Sequence, residues 1–346
     1  MNSIPLHSEQ IPDDEGDTIA DMVNQTIAGM KLINGCQHRA QHAKATACLR
    51  ARFRIMENIP QTLRYGLFTQ PGAVYDAILR FSNSTGEPGP EGGFQKDGIG
   101  TARGLAIKIL IEEREQNPEQ VAHQDVLLMS NPVFPFPDPK AYLSTMRLKN
   151  LPLIGNVLAA AQLAILERDE LEILQEIRAK QVGNPLAIKY WSGTPYWLGS
   201  ADNKTGQAVK YVVSHHQPYS KPVNDPSTLD NDYLRTSAFN FLATNEATFT
   251  FKVQVQTDAI AMPIENASVK WDEDESDPIP VAQLTIPSQS RDPDFEASVE
   301  RLAFNPWHAL PEHRPMGGLN RLRKAVYEAS LTRRGGACPG VLKIRY

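Results

Sequence analysis

From Thr46 the chain alternates between apolar and polar residues, with Ala47, Leu49, Ala51 and Phe53 set against Cys48, Arg50, Arg52 and Arg54. A period of two sends successive side chains to opposite faces, so this stretch predicts a half-buried strand. The pattern returns most clearly over 248–256, where Phe249, Phe251, Val253 and Val255 alternate with Thr250, Lys252, Gln254 and Gln256. Residues 77–82, 104–110, 207–214 and 281–286 are further strand candidates. Glu87–Gly100 is rich in glycine and proline and reads as a loop.

Elsewhere the period lengthens. Residues 17–33 place Ile19, Met22, Val23, Ile27 and Met30 on one side of a helix. Helices are also predicted over 138–146, 157–180, 294–302 and 318–331. Strands mostly follow one another without an intervening helix. That order favours an α+β fold with an antiparallel sheet or barrel and helices gathered beside it. There is no internal repeat and no convincing linker. The expected organisation is a disordered tail over 1–17 and a single domain over 18–346.

Composition narrows the function classes. The chain has 346 residues, 41% hydrophobic and 22% charged, the balance of a soluble globular protein. A formal net charge of -5 argues against nucleic acid as a partner. Three scattered cysteines, Cys36, Cys48 and Cys338, do not make a disulfide framework. With an N-terminus lacking a signal-peptide pattern, they point to a reducing, cytoplasmic location. The longest apolar stretch, 151–166, is interrupted by Pro152, Gly155, Asn156 and Gln162 and falls short of a membrane span. It reads as a loop entering a buried helix, with a lipid-touching surface as the alternative.

Four groups of residues could carry chemistry. Arg323 and Tyr327 are four apart and share a helix face. A guanidinium beside a phenol favours the phenolate, which a phenol needs to ligate a metal at neutral pH. Taken alone, such a pair is more often a surface contact. His42 precedes the first alternating strand, where a lone histidine is usually structural; with Cys36 and His38 it also offers zinc-ligand types, without a fourth ligand. Arg80 and Ser82 leave one face of a strand together, either to meet partners or to face solvent. Asn131, before Pro132, is either a turn-former or a placed hydrogen-bond donor.

Together these segments resemble the haem-catalase superfamily, in particular its short, catalase-related members. The resemblance runs from about Arg39 to Arg334. It is carried in order by HAKATACLRARFRI, AILRFSN, GTARGLAIKI, NPVFPFPD, GQAVKYVVSHH, SVERLAFNP and NRLRKAVY. It implies an eight-stranded antiparallel β-barrel with surrounding α-helices and one haem b. Tyr327 matches the axial metal ligand and Arg323 the arginine one turn before it. His42 matches the distal acid–base, Ser82 the hydroxyl that holds it, and Asn131 the distal asparagine. Arg39, Arg80 and Arg334 match the arginines that pair with haem propionates. Tyr142 falls where the family usually has a phenylalanine over the haem.

The sequence also departs from the family. Gln41 stands before the distal histidine, where catalases carry valine, and there is no nucleotide fingerprint for NADPH. The resemblance therefore implies a haem peroxidase or weak catalase acting on hydrogen peroxide and organic hydroperoxides with a small-molecule electron donor. A fatty-acid hydroperoxide isomerase or dehydratase of the allene-oxide-synthase kind is the alternative. A non-catalytic haem carrier is a third reading. Family habit implies a homodimer.

Overall fold

The computed structural model describes residues 5–98, 100–111, 123–150, 168–217 and 229–335. Apart from a short hairpin that pairs Leu32–Ile33 with Cys36–Gln37, its strands are β1 (Ala45–Ile55), β2 (Val74–Asn83), β3 (Arg103–Leu110), β4 (His123–Met129), β5 (Tyr190–Trp191), β6 (Tyr196–Gly199), β7 (Gly206–His215), β8 (Ala247–Val255) and β9 (Ile279–Ile286). Neighbours run β8-β9-β1-β2-β3-β4-β5-β7, and β7 pairs back onto β8. Eight antiparallel strands thus close into a barrel, which leaves this ring no free edge. β5 and β6 both lie along β7, Tyr190 opposite Val213 and Tyr196 opposite Val209. They form one line of pairing interrupted at Ser192–Pro195, where Gly193 takes φ +68°.

The barrel interior is filled by side chains of alternate residues. Leu49 and Phe53 from β1, Phe81 from β2, Tyr211 from β7 and Phe251 from β8 are all buried in one cluster. The inward set read from the alternation of β1 and β8 is the observed one. The opposite face of β1 and β2 is also covered. Cys48 and Ile78 pack under Phe295, Val299, Leu302 and Phe304, which belong to helix α5 (Pro293–Arg301) and the loop after it. Helices α1 (Glu15–Gly29), α2 (Pro139–Lys149), α3 (Arg168–Ala179) and α4 (Tyr233–Leu242) precede it, and α6 (Gly318–Arg333) follows.

Several elements lie outside the sequence expectation. β4 is buried on both faces, so His123–Met129 shows no clean polar alternation. β5 has two residues, too few to display a period. Helix α4 has no counterpart among the helices predicted from the sequence. The expected helix over 157–180 is described from Arg168; the stretch 151–167, including the apolar 151–166, lies outside the described residues. Helix α1 ends at Gly29, short of Ile33, and its buried stripe is Glu15, Thr18, Met22 and Thr26. Ile27 is exposed. The stripe shifts because α1 meets α6 through ion pairs as well as apolar contacts.

Those ion pairs tie down the arm that the sequence suggested would be loose. The His7 backbone N–H donates to Gln256 Oε1 at 2.7 Å, and the Ala208 N–H donates to His7 Nδ1 at 3.0 Å. On α6, Arg321 reaches Glu9 at 2.6 Å, Glu15 at 2.7 Å and Glu265 at 2.9 Å. Glu9 also takes Arg314 at 2.7 Å. Arg321→Ala leaves three carboxylates without their shared cation. Breaking such a partly buried network costs about 3–5 kcal/mol. The denaturant midpoint is expected to fall, and protease cleavage between Glu9 and Glu15 to accelerate. An unchanged midpoint with an uncut arm would show that the network does not hold α1 on α6.

Candidate functional site

The outer wall of β1, β2 and β3 carries the first cluster. The segment before β1 crosses the end of β2, with the His42 N–H donating to the Ser84 carbonyl at 3.0 Å. His42 itself takes φ +56°, a left-handed conformation that a non-glycine residue adopts at a cost. The neighbouring Lys44 anchors the segment through a buried ion pair with Asp97 at 2.7 Å. These constraints bring His42 Nδ1 to 2.9 Å from Ser82 Oγ. Gly104 on β3 makes room: a Cβ there would lie 2.6 Å from two atoms of the His42 ring and 2.8 Å from Ser82 Oγ. Burial, reinforced by the charges of Arg80, Arg323 and Arg39, lowers the His42 pKa to about 3. The imidazole is therefore neutral at physiological pH.

The second cluster centres on Glu300, at the end of α5. Arg39 donates to Glu300 Oε2 at 2.6 Å, and Arg80 to Oε1 at 2.7 Å. Arg80 also holds the Ala43 carbonyl at 3.1 Å, which fixes the segment beside His42. Arg39 and Arg334 share the Leu302 carbonyl, each at 2.9 Å. Burial would raise the Glu300 carboxyl, but Arg80 and Arg39 hold it at about 2. Burial and the like charge of Arg80 push Arg39 below the usual arginine range. Three guanidiniums against one carboxylate leave two positive charges without a counter-charge in this group.

The third cluster lies on α6. Arg323 Nη2 donates to the Tyr327 hydroxyl at 3.3 Å, while Nη1 is held by Asn320 Oδ1 at 3.0 Å. The guanidinium also lies 5.9 Å from the Phe134 ring centroid. Its charge acts on His42 across the site, so the second and third clusters both bear on the first. Tyr142 on α2 stacks on Phe136 at 5.0 Å, beside Val326 in a shared apolar cluster. Burial, with Tyr327 adding to it, raises the Tyr142 hydroxyl to about 12, so that group stays protonated.

Asn131 belongs to a different network. Its Nδ2 donates to the Val133 carbonyl at 3.0 Å and its Oδ1 accepts from Lys180 at 3.2 Å. The amide thus has a local turn partner at one end and a distant lysine at the other. Gln41 is exposed and lines a small cavity with Tyr142, Met146, Lys149 and Val326. The zinc reading of Cys36, His38 and His42 finds no shared centre: Cys36 is exposed, His38 edges onto Phe94 at 4.9 Å, and His42 meets Ser82.

Solved structures align over nearly the whole chain. A fungal catalase matches with a TM-score of 0.66, 19% identity and 97% coverage of this chain. The chain has the catalase fold. A bacterial catalase gives 0.67 at 16% identity, and catalase A from Saccharomyces cerevisiae gives 0.64 at 18%, each over 97% of this chain. These alignments take in 65%, 63% and 67% of the three catalases, so the chain spans about two thirds of their length. No family model and no curated protein sequence matches it.

The donor set suits a haem. A phenol oxygen faced by a guanidinium is a donor that would suit haem iron, and an excess of two positive charges would suit a group with two carboxylates. Sequence reasoning missed Glu300 and Gly104. Glu300 stands inside SVERLAFNP, and three arginines assigned to one region were themselves a signal that an anion should be sought. Gly104 carries no signal of its own, since its importance comes from pairing opposite Ser82.

Gly104→Ala is expected to displace the His42 ring and break its bond to Ser82. In the haem-free wild-type protein, NMR should find the His42 ring neutral from about pH 8 down to about pH 5. Because its folded pKa is depressed, the unfolded chain binds a proton first, so His42 stabilises the fold above its unfolded value and this is lost as pH falls toward about 3. An ordinary titration in the wild type would show the ring to be solvated.

Proposed function

We propose that this chain binds haem b against the outer wall of β1–β3, with Tyr327 as the residue that would ligate its iron, and cleaves peroxides as a peroxidase with weak catalase activity. The observation that carries this reading is the position of Arg323. It contacts the Tyr327 hydroxyl and also acts electrostatically on His42, which joins a metal-ligating group to an acid–base group. Arg39, Arg80 and Arg334 would pair with the two haem carboxylates. When bound, the haem supplies a ferric centre at which a peroxide O–O bond is cleaved.

The protein's own residues move the proton. Ser82 holds His42 at Nδ1, which leaves Nε2 as the atom that takes a proton from one peroxide oxygen and returns it to the other. Neutrality is the starting condition for that transfer, and burial secures it. Arg323 Nη2 donates to the Tyr327 hydroxyl at 3.3 Å and holds that oxygen in place. With the Asn131 amide occupied by Val133 and Lys180, orientation of the peroxide rests on His42 and Ser82. This favours peroxidase chemistry with a small-molecule donor over fast dismutation of hydrogen peroxide. A fatty-acid hydroperoxide isomerase built on the same His42, Ser82 and Tyr327 is the second reading.

Tyr327→Phe keeps the ring and removes the ligand oxygen, so haem retention on reconstitution should fall sharply. An unchanged haem spectrum would remove Tyr327 from the site. His42→Ala should retain haem and lose about 10²–10⁴-fold in its reaction with peroxide; a smaller loss makes His42 structural. Supplying hydrogen peroxide, cumene hydroperoxide and a fatty-acid hydroperoxide separates the two readings through oxygen release, dye oxidation and rearranged lipid. Gln41→Val is expected to raise oxygen release relative to dye oxidation, measured on haem-normalised samples. A constant ratio would place substrate choice in the cavity wall at Tyr142.

A further inference from the structure

On the same outer wall, further from His42, lies a second group of donors. β2, β3 and β4 align Ser82 with Gly104 and Met129, and Ile78 with Lys108 and Asp125. The two rows are four residues apart, which is about 13 Å at the rise of a strand. Around Asp125 stand His123 from the start of β4 and His308 from the loop joining α5 to α6. One ligand atom from each of the three lies within 4.8 Å of the others. We propose that His123, Asp125 and His308 form a binding site for a divalent transition-metal ion such as Zn²⁺.

Three features support this. First, His123 Nε2 is buried and has no hydrogen-bond partner among the described residues. A buried ring nitrogen without a partner is costly, and coordination would satisfy it. Second, the carboxylate is divided. Lys108 Nζ takes Asp125 Oδ1 at 2.6 Å, while His308 Nδ1 lies 3.1 Å from Oδ2, which also accepts the Asn305 N–H at 3.0 Å. His308 therefore sits at the oxygen that Lys108 leaves, and Lys108 orients the carboxylate from outside the ligand set. Third, the His308 side chain is 22% exposed, which gives an ion a way in.

Two imidazoles and one carboxylate are ligands that Zn²⁺ accepts at about 2.0–2.2 Å, with a fourth position left to water. On ion binding the donors must draw together by roughly 1 Å, and His308 exchanges its bond to Asp125 for one to the metal. The adjacent Lys108 charge weakens the site. An occupying ion would clamp β4 to the loop between Glu300 and Tyr327, outside the haem site proposed above and independent of it.

The test is equilibrium dialysis of the full chain against Zn²⁺, in a Cys36→Ser background so that the exposed thiol adds no ligand. One bound equivalent is expected, weakened at least tenfold in both His123→Ala and His308→Ala. Zn²⁺ should raise the Tm of the parent and not of these variants. Lys108→Met removes the opposing charge, so its Zn²⁺-dependent rise in Tm should exceed that of the parent. Stoichiometry and affinity unchanged in both histidine variants, or no bound equivalent in the parent, would overturn the proposal. His308→Ala and His123→Ala are read by circular dichroism as well, so that loss of binding is scored only in folded protein.

Discussion

Glu300 meets Arg39 and Arg80 through its carboxylate, and Arg334 closes on its backbone carbonyl at 2.9 Å. This knot of charge joins four distant parts of the chain: the entry to β1, the middle of β2, the end of α5 and the end of α6. Removing any one member strands charge in a partly buried setting, so the pieces hold one another in place. Arg80 passes the constraint on to the Ala43 carbonyl, and from there to His42. The position of the candidate acid–base is thus fixed by electrostatics on one side and by the Ser82 hydroxyl on the other.

The barrel contributes register. Ser82 and Arg80 point to the outer face because Leu79 and Phe81 are required inside, and a shift of one residue would reverse both sets. Gly104 sits opposite Ser82 in the next strand, where the absence of a side chain admits the imidazole. A rigid closed sheet therefore sets the distances, while the loop before β1 accepts the strained backbone of His42. The polar residues of that face, Arg80 and Ser82, are buried, and the elements covering them turn a surface into an enclosed polar cluster.

Much of this was legible where one local rule sufficed. β1 and β8 alternate because their inward faces meet the barrel core, and Arg323 with Tyr327 follows from helical spacing. Strand β4 was hidden because its outward residues, Asp125 and Leu127, are covered too. The buried stripe of α1 was misplaced because Glu15 and Thr18 replace apolar residues at the contact with α6. Glu300 was not singled out because its partners lie 261 and 220 residues away in sequence. The barrel closure and the catalase fold agree with the resemblance carried by the quoted motifs, whereas the role of Asn131 depended on hydrogen bonds that no local pattern reveals.

Arg321 gathers Glu9, Glu15 and Glu265, so α1 is completed by a residue synthesised much later than itself. The separation of 306 residues between Glu15 and Arg321 means that α1 emerges long before its partner exists. At about 5–20 residues per second of synthesis, that interval lasts from roughly fifteen seconds to a minute. During it, the face of α1 that includes Met22 has no α6 to cover it. Until then α2 is the partner available to Met22, since Leu143 and Met146 share its cluster. Docking of the tyrosine-bearing helix then completes the cover of α1.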